Sequence, residues 1–169
     1  MTETRTALVG LLMGSDSDLP VVTTARDLLR QLGATVEMHV ASAHRTPARV
    51  VELVTQAEQA GTLVFIAAAG GAAHLAGAVA AQTTRPVIGI PLAAGALGGV
   101  DALYSTCNMP PGIPVATVSV GAWGATNAAL LAAQILGVAH PAIAEKVREH
   151  RRAAAEKVLA KDQQLQAQG

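Results

Sequence analysis

The chain predicts an α/β fold: one parallel sheet, wound in both directions, with helices on both faces. Two observations carry this. Short apolar runs alternate with stretches of helical period. Those runs are apolar almost without a break rather than at every second residue, the pattern of strands buried on both faces.

Each element has its own signal. Thr6 to Met13 is a continuous apolar run, the first strand, and Gly14-Ser15-Asp16-Ser17-Asp18 is the loop after it. Leu19 to Leu32 is a helix with Pro20 in its first turn and Gly33 as its stop. Thr35 to Val40 is the second strand. In Pro47 to Ala60 the residues Val50, Val51, Leu53, Val54 and Ala57 recur at helical spacing, with Thr46 as N-cap, Pro47 at the first helical position and Gly61 as the stop. Leu63 to Ala68 is the third strand, Ala69-Gly70-Gly71 the loop that follows, and Ala72 to Gln82 a third helix. Arg85-Pro86 breaks the chain before the fourth strand, Val87 to Ile90. A Gly/Ala loop from Pro91 to Gly99 leads to a short helix, Val100 to Cys107, and then to a rigid turn segment, Met109 to Pro114. Val115 to Val120 is the fifth strand and Ala122 to Leu136 the fifth helix. A charged amphipathic helix from Pro141 to Ala160 closes the chain. The expected architecture is a three-layer, doubly wound, five-stranded parallel sheet of flavodoxin-like type. One domain over residues 1–169 is expected, its core at about 6–137, with the C-terminal helix at about 141–160.

Composition narrows the function. Lys plus Arg and Asp plus Glu number 12 each, so the basic balance or stripe of a nucleic-acid binder is missing. Aromatic residues make up 2%, too few for a base-stacking platform and little to sandwich a flavin ring. Cys107 is the one cysteine, which fits a reducing, cytoplasmic compartment; it has no adjacent base and is expected to be buried. Met1 to Thr6 is short and polar, without a signal-peptide pattern. Between Gly61 and Pro141 the only charged residues are Arg85 and Asp101. Thr62 to Thr84 is uncharged, but it is Gly- and Ala-rich, contains His74 and Gln82 and changes period at Gly70-Gly71, so burial rather than a membrane span is expected. Helices of such low polarity cannot all face one small core, and a homo-oligomer follows.

Three loops open at the carboxyl edge of the predicted sheet, where ligands bind in this architecture. The first offers Ser15, Ser17 and Asp18, the second Ser42, His44 and Arg45, the third Gly70, Gly71 and His74. A histidine there can move protons near neutral pH, and an arginine beside a helix start can hold a phosphate. Each has a plainer reading beside the chemical one. Ser15, Ser17 and Asp18 suit a helix cap; Gly70-Gly71 suits close helix–strand packing; Arg45 suits solvent; His74 suits a satisfied core position. His44, on a loop next to Arg45, has no packing reason to be there. Metal-ligand spacings, CxxC pairs and the GxSxG nucleophile elbow are absent from the sequence. The residue set suits cofactor-free proton transfer on a small phosphorylated substrate.

Met13-Gly14-Ser15-Asp16-Ser17-Asp18, Ser42-Ala43-His44-Arg45-Thr46-Pro47 and Ala69-Gly70-Gly71-Ala72-Ala73-His74-Leu75 resemble the three signature loops of the 5-(carboxyamino)imidazole ribonucleotide mutases, the class I phosphoribosylaminoimidazole carboxylase catalytic subunits. Gly99 to Ser105, Met109 to Val115 and Asn127 to Leu136 are similar to later segments of that family, so the likeness spans about Val9 to Leu136. It implies a homo-octamer acting in purine biosynthesis without metal, nucleotide or biotin. The reaction would move a carboxylate from the exocyclic nitrogen of an imidazole ribonucleotide to the neighbouring ring carbon. By matching positions His44 would be the general acid and base, with Ser15, Asp18, Ser42 and Arg45 on the ribose phosphate. Gly70, Gly71, His74 and Leu75 would line the base and carboxylate region. Related class II enzymes, which use carbon dioxide directly, have Lys where Arg45 stands. Ala76 stands where the family usually has Pro, and Asn108 where it usually has Gln. Two alternatives remain: direct carboxylation of aminoimidazole ribonucleotide by carbon dioxide, and a non-enzymatic nucleotide or flavin binder on the same fold.

Overall fold

The structure, a computed structural model, describes residues 8–168. Among them the elements run β1 (Val9–Met13), α1 (Leu19–Gln31), β2 (Val36–Val40), α2 (Pro47–Gln59), β3 (Val64–Gly70), α3 (Leu75–Ala80), β4 (Val87–Leu92), α4 (Val100–Cys107), β5 (Ala116–Thr117), α5 (Ala122–Gly137) and α6 (Pro141–Gln166). The strands form one sheet in the order β2-β1-β3-β4-β5. Every neighbouring pair is parallel. This is the flavodoxin-like order expected from the sequence, and it places the topological switch between β1 and β3.

Each face of the sheet has its own core. On one, Val9, Leu11 and Met13 of β1 with Ile66 and Ile88 meet Val22, Ala25 and Leu29 of α1, the alanines of α5 and Ile143 and Val147 of α6. On the other, Leu12, Phe65 and Ala67 meet Val50, Leu53 and Val54 of α2 and Leu75, Ala76 and Val79 of α3. The alternation of β1 residues between the two lists is the period-two geometry of a strand packed on both sides. Ala125, Ala128, Ala129, Ala132 and Ala133 make one small-residue face on α5, which lets it lie close against α1.

The boundaries differ from the sequence reading by more than one residue in five places, the start of the first strand aside. Thr6 and Ala7, assigned to the first strand, lie outside the described residues. β3 runs on through Ala69 and Gly70, so Gly70 ends a strand rather than belonging to a loop. α3 begins at Leu75 and ends at Ala80, with Ala72 and Ala73 ahead of it. β4 continues through Pro91 to Leu92, paired with Ala69 and Gly70. β5 is reduced to Ala116 and Thr117 on the sheet edge. α6 reaches Gln166, and it buries only Ile143 and Val147.

Candidate active site

The three loops after β1, β2 and β3 come together at the carboxyl edge of the sheet, as parallel pairing of those strands requires. Each is held in shape by its own short side chains. In the first, a single 3₁₀ turn over Asp16–Asp18 leads into α1. Ser15 Oγ accepts from the Ser17 amide at 3.3 Å and Asp18 Oδ2 accepts from the Ser15 amide at 3.1 Å. This is a reciprocal capping box, so the capping role is real, and the same residues form a wall of the site. Burial raises the Asp18 carboxyl above the ordinary aspartate range, against the opposing pull of the Ser15 amide.

The second loop is closed by Thr46 rather than capped by it. Thr46 Oγ1 accepts from the Ser42 amide at 2.9 Å and donates to the Ser42 carbonyl at 3.2 Å, and it makes no cap bond to α2. Ser42 Oγ accepts from the Arg45 amide at 3.2 Å and from Arg45 Nε at 3.4 Å. The guanidinium then reaches across to donate to the Gly14 carbonyl at 3.0 Å. Arg45 is exposed, yet it ties the second loop to the first and is not a free surface charge.

The third loop depends on two glycines for different reasons. A Cβ on Gly70 would stand 2.7 Å from Ala94 Cβ and 3.2 Å from the Leu92 carbonyl, so only glycine lets β3 end this close to the loop after β4. Gly71 has open space around it but a φ of +62°, the left-handed region that side chains avoid. Together they turn the chain so that His74 meets His44. His44 Nε2 lies 2.7 Å from His74 Nδ1, with ring centroids 4.8 Å apart and planes at 74°.

These loops enclose a cavity of about 430 Å³. Ser15, Asp18, Ser42, His44, Arg45, Gly70, His74 and Leu75 all line it, with Gly14, Ser17 and Ala94. Of the residues the sequence singled out, Gly71 alone is not part of the cavity lining. Ala94 was missed; its loop showed only small residues and no chemistry, and its part is the close approach to Gly70. The His44–His74 bond was also missed, and no sequence signal joins residues 30 apart. His74 is exposed to the cavity, not a satisfied core residue. Cys107, expected to be buried, is exposed at the end of α4, whose buried positions are Ala102 and Thr106. Among the described residues no group of three or more His, Cys, Asp or Glu side chains could hold a metal ion. Among the same residues no helix is long and apolar enough to cross a membrane.

Known proteins share this sequence and fold. The chain is 49% identical over 161 residues to the N5-carboxyaminoimidazole ribonucleotide mutase of Thermotoga maritima, covering 95% of this chain and 93% of that one. It is 49% identical over 158 residues to the enzyme of the same name from Bacillus subtilis, covering 94% and 98%. It is also 52% identical over 136 residues to the phosphoribosylaminoimidazole carboxylase of Candida albicans, covering 80% of this chain and 24% of that larger one. The crystal structure of Treponema denticola PurE superposes with a TM-score of 0.85 at 31% identity, covering 93% of this chain and 97% of that one. The family model for AIR carboxylase matches residues 8–157, the whole sheet and most of α6. By sequence and by fold, the chain belongs to the AIR carboxylase family.

Proposed function

We propose that this protein is a mutase of purine biosynthesis that converts 5-(carboxyamino)imidazole ribonucleotide to 4-carboxy-5-aminoimidazole ribonucleotide. The observation that carries the reading is the single cavity in which His44, Arg45, Ser15, Asp18 and Ser42 converge. Its volume is within the usual range for a small-molecule site. Amides at the starts of α1 and α2 and the Arg45 guanidinium favour an anion, so the ribose phosphate belongs on that wall with Ser15, Ser42 and Arg45. The imidazole and its carboxylate then lie toward Gly70, the Gly71 turn, His74 and Leu75.

In this pose His44 acts first as acid and then as base. It gives a proton to the exocyclic nitrogen as the N–C bond breaks and carbon dioxide leaves. The neighbouring ring carbon attacks carbon dioxide, the new C–C bond forms, and His44 takes the proton from that carbon. One proton is given and one recovered, so the step needs no redox partner. Carbon dioxide must be kept close and water kept out between the two halves. The isolated chain leaves the site open, and exposed apolar residues continue from the Ala94 loop: Leu97, Val100 and Tyr104. These support a homo-oligomer, an octamer by the family resemblance, whose neighbouring copies cover this edge. The exposed, unpaired thiol of Cys107 suits a reducing, cytoplasmic setting. We read the chain as one mutase domain working without a cofactor.

The Candida relative's name favours a second reading, carboxylation of aminoimidazole ribonucleotide by carbon dioxide. One assay separates the two. Purified protein is given the carboxyamino ribonucleotide without ATP, metal or bicarbonate, and the carbon-carboxylated product is followed. Product from wild type and none from His44→Asn supports the mutase with His44 as acid and base. Product only from the uncarboxylated ribonucleotide with bicarbonate assigns the carboxylase instead.

A further inference from the structure

We infer that His74 is a positioning residue that fixes which ring nitrogen of His44 carries the proton; this rests on the acid/base reading of His44 above. The observation is the 2.7 Å contact between His44 Nε2 and His74 Nδ1. A neutral imidazole has one N–H and one bare nitrogen, and two nitrogens at this distance hold one proton between them. The bond therefore uses up Nε2 of His44 and leaves Nδ1 as the nitrogen free to meet substrate.

The reaction asks something unusual of that nitrogen. It must give a proton, then take one back from a different substrate atom, with carbon dioxide waiting in between. Once His44 has given its Nδ1 proton, the ring is neutral and has two tautomers. In one, the remaining proton is on Nε2 and Nδ1 is bare, ready to accept. In the other, the proton has moved to Nδ1 and no base faces the ring carbon. A bare Nδ1 on His74 accepts the Nε2–H bond and holds the productive tautomer, as a carboxylate or carbonyl partner does for other acid/base histidines. The other ionisable groups of the cavity wall are already engaged. Asp18 accepts from the Ser15 amide, and Arg45 donates to Ser42 and to the Gly14 carbonyl. On geometry, the imidazole of His74 is the group placed to do this.

The test uses the full chain carrying His74→Leu, which removes the acceptor, and His74→Asn, whose amide oxygen can stand where Nδ1 stands. Ring-nitrogen NMR of the uniformly ¹⁵N-labelled proteins reports the His44 tautomer directly, with His44→Asn identifying its signals. The expected result is a single Nε2–H tautomer in wild type, mixed tautomers in His74→Leu, and restoration in His74→Asn. In the mutase assay, His74→Leu should lower kcat about 10- to 100-fold with KM within about threefold, and His74→Asn should recover part of the loss. A rise in KM with kcat unchanged would make His74 a substrate contact only and overturn the proposal. An unchanged His44 tautomer in His74→Leu would overturn it equally. If wild type converts no carboxyamino ribonucleotide, the functional reading fails, while the NMR result still decides whether His74 sets the tautomer.

Discussion

The two ends of the sheet make an instructive pair. At the amino end, Glu58, Thr83, Arg85, Gly112 and Pro114 border a cavity of about 620 Å³, larger than the 430 Å³ of the carboxyl end. It also has an arginine, a carboxylate and a hydroxyl. Its hydroxyl and carboxylate are engaged with each other: the Thr83 hydroxyl donates to Glu58 and accepts from the Arg85 backbone amide. α2 and α3 end there, presenting the carbonyl, negative end of the helix dipole. At the carboxyl end α1 and α2 begin, presenting amides, and two histidines and an arginine point into the space. Parallel topology gives the two ends opposite electrostatic sign, which favours the smaller cavity for the anionic ribonucleotide of the proposed reaction. The sign of the helix ends, not volume, distinguishes the two cavities.

The sharpest way to probe this contrast is His44→Asn, which should lower kcat by about 10²- to 10⁴-fold, the range for loss of a general acid/base, while thermal unfolding stays near wild type. Next is Gly70→Ala. Its added methyl meets Ala94 and the Leu92 carbonyl, so β3 and the β4 loop must part, at a cost of about 1–3 kcal/mol in denaturant unfolding and a fall in kcat/KM as the third loop shifts. Asp18→Asn acts through pH. The folded protein binds the Asp18 proton more tightly than the unfolded chain does. That carboxyl therefore contributes stability that is present below the ordinary aspartate range and lost as pH rises through its raised folded-state value. The asparagine variant keeps an acceptor for the Ser15 amide. It should match wild type in acid and be slightly more stable at neutral pH, read as Tm across a pH series. Smallest is Arg85→Ala at the amino end, which should leave kcat/KM within about twofold of wild type. A large loss there would mean that volume had pointed to the right cavity after all.

Much of this was legible in the sequence. The parallel sheet followed from alternation of apolar runs with helices, and the carboxyl-edge loops followed from helix starts at Pro20 and Pro47 and stops at Gly33 and Gly61. What failed has physical causes. From Ala67 to Ala73 every side chain is a methyl or a hydrogen, so nothing marks where period two gives way to period 3.6, and the β3–α3 border was misplaced. α6 was cut short at Ala160 because its apolar pattern fades there. Lys161 to Gln166 are mostly good helix formers, and intrinsic propensity extends the helix where packing does not. β5 was overestimated because Val115 to Val120 reads as a strand by composition. On the sheet edge Thr117 pairs with Gly89, and pairing stops before Ser119. The bond between His44 and His74 belongs to a class of fact that only the folded chain contains.

The core's chemistry has a spectroscopic consequence. Phe65 is the only aromatic side chain inside, and the only tryptophan, Trp123, opens α5 with 82% of its surface in solvent. Its emission in the monomer is already that of a solvated indole, so unfolding should scarcely shift it, and circular dichroism is the signal to follow instead. The same indole stands at the carboxyl edge, the edge that the proposed homo-oligomer would cover. A blue shift that grows with protein concentration would make Trp123 a reporter of assembly in a protein whose fluorescence says nothing about its core.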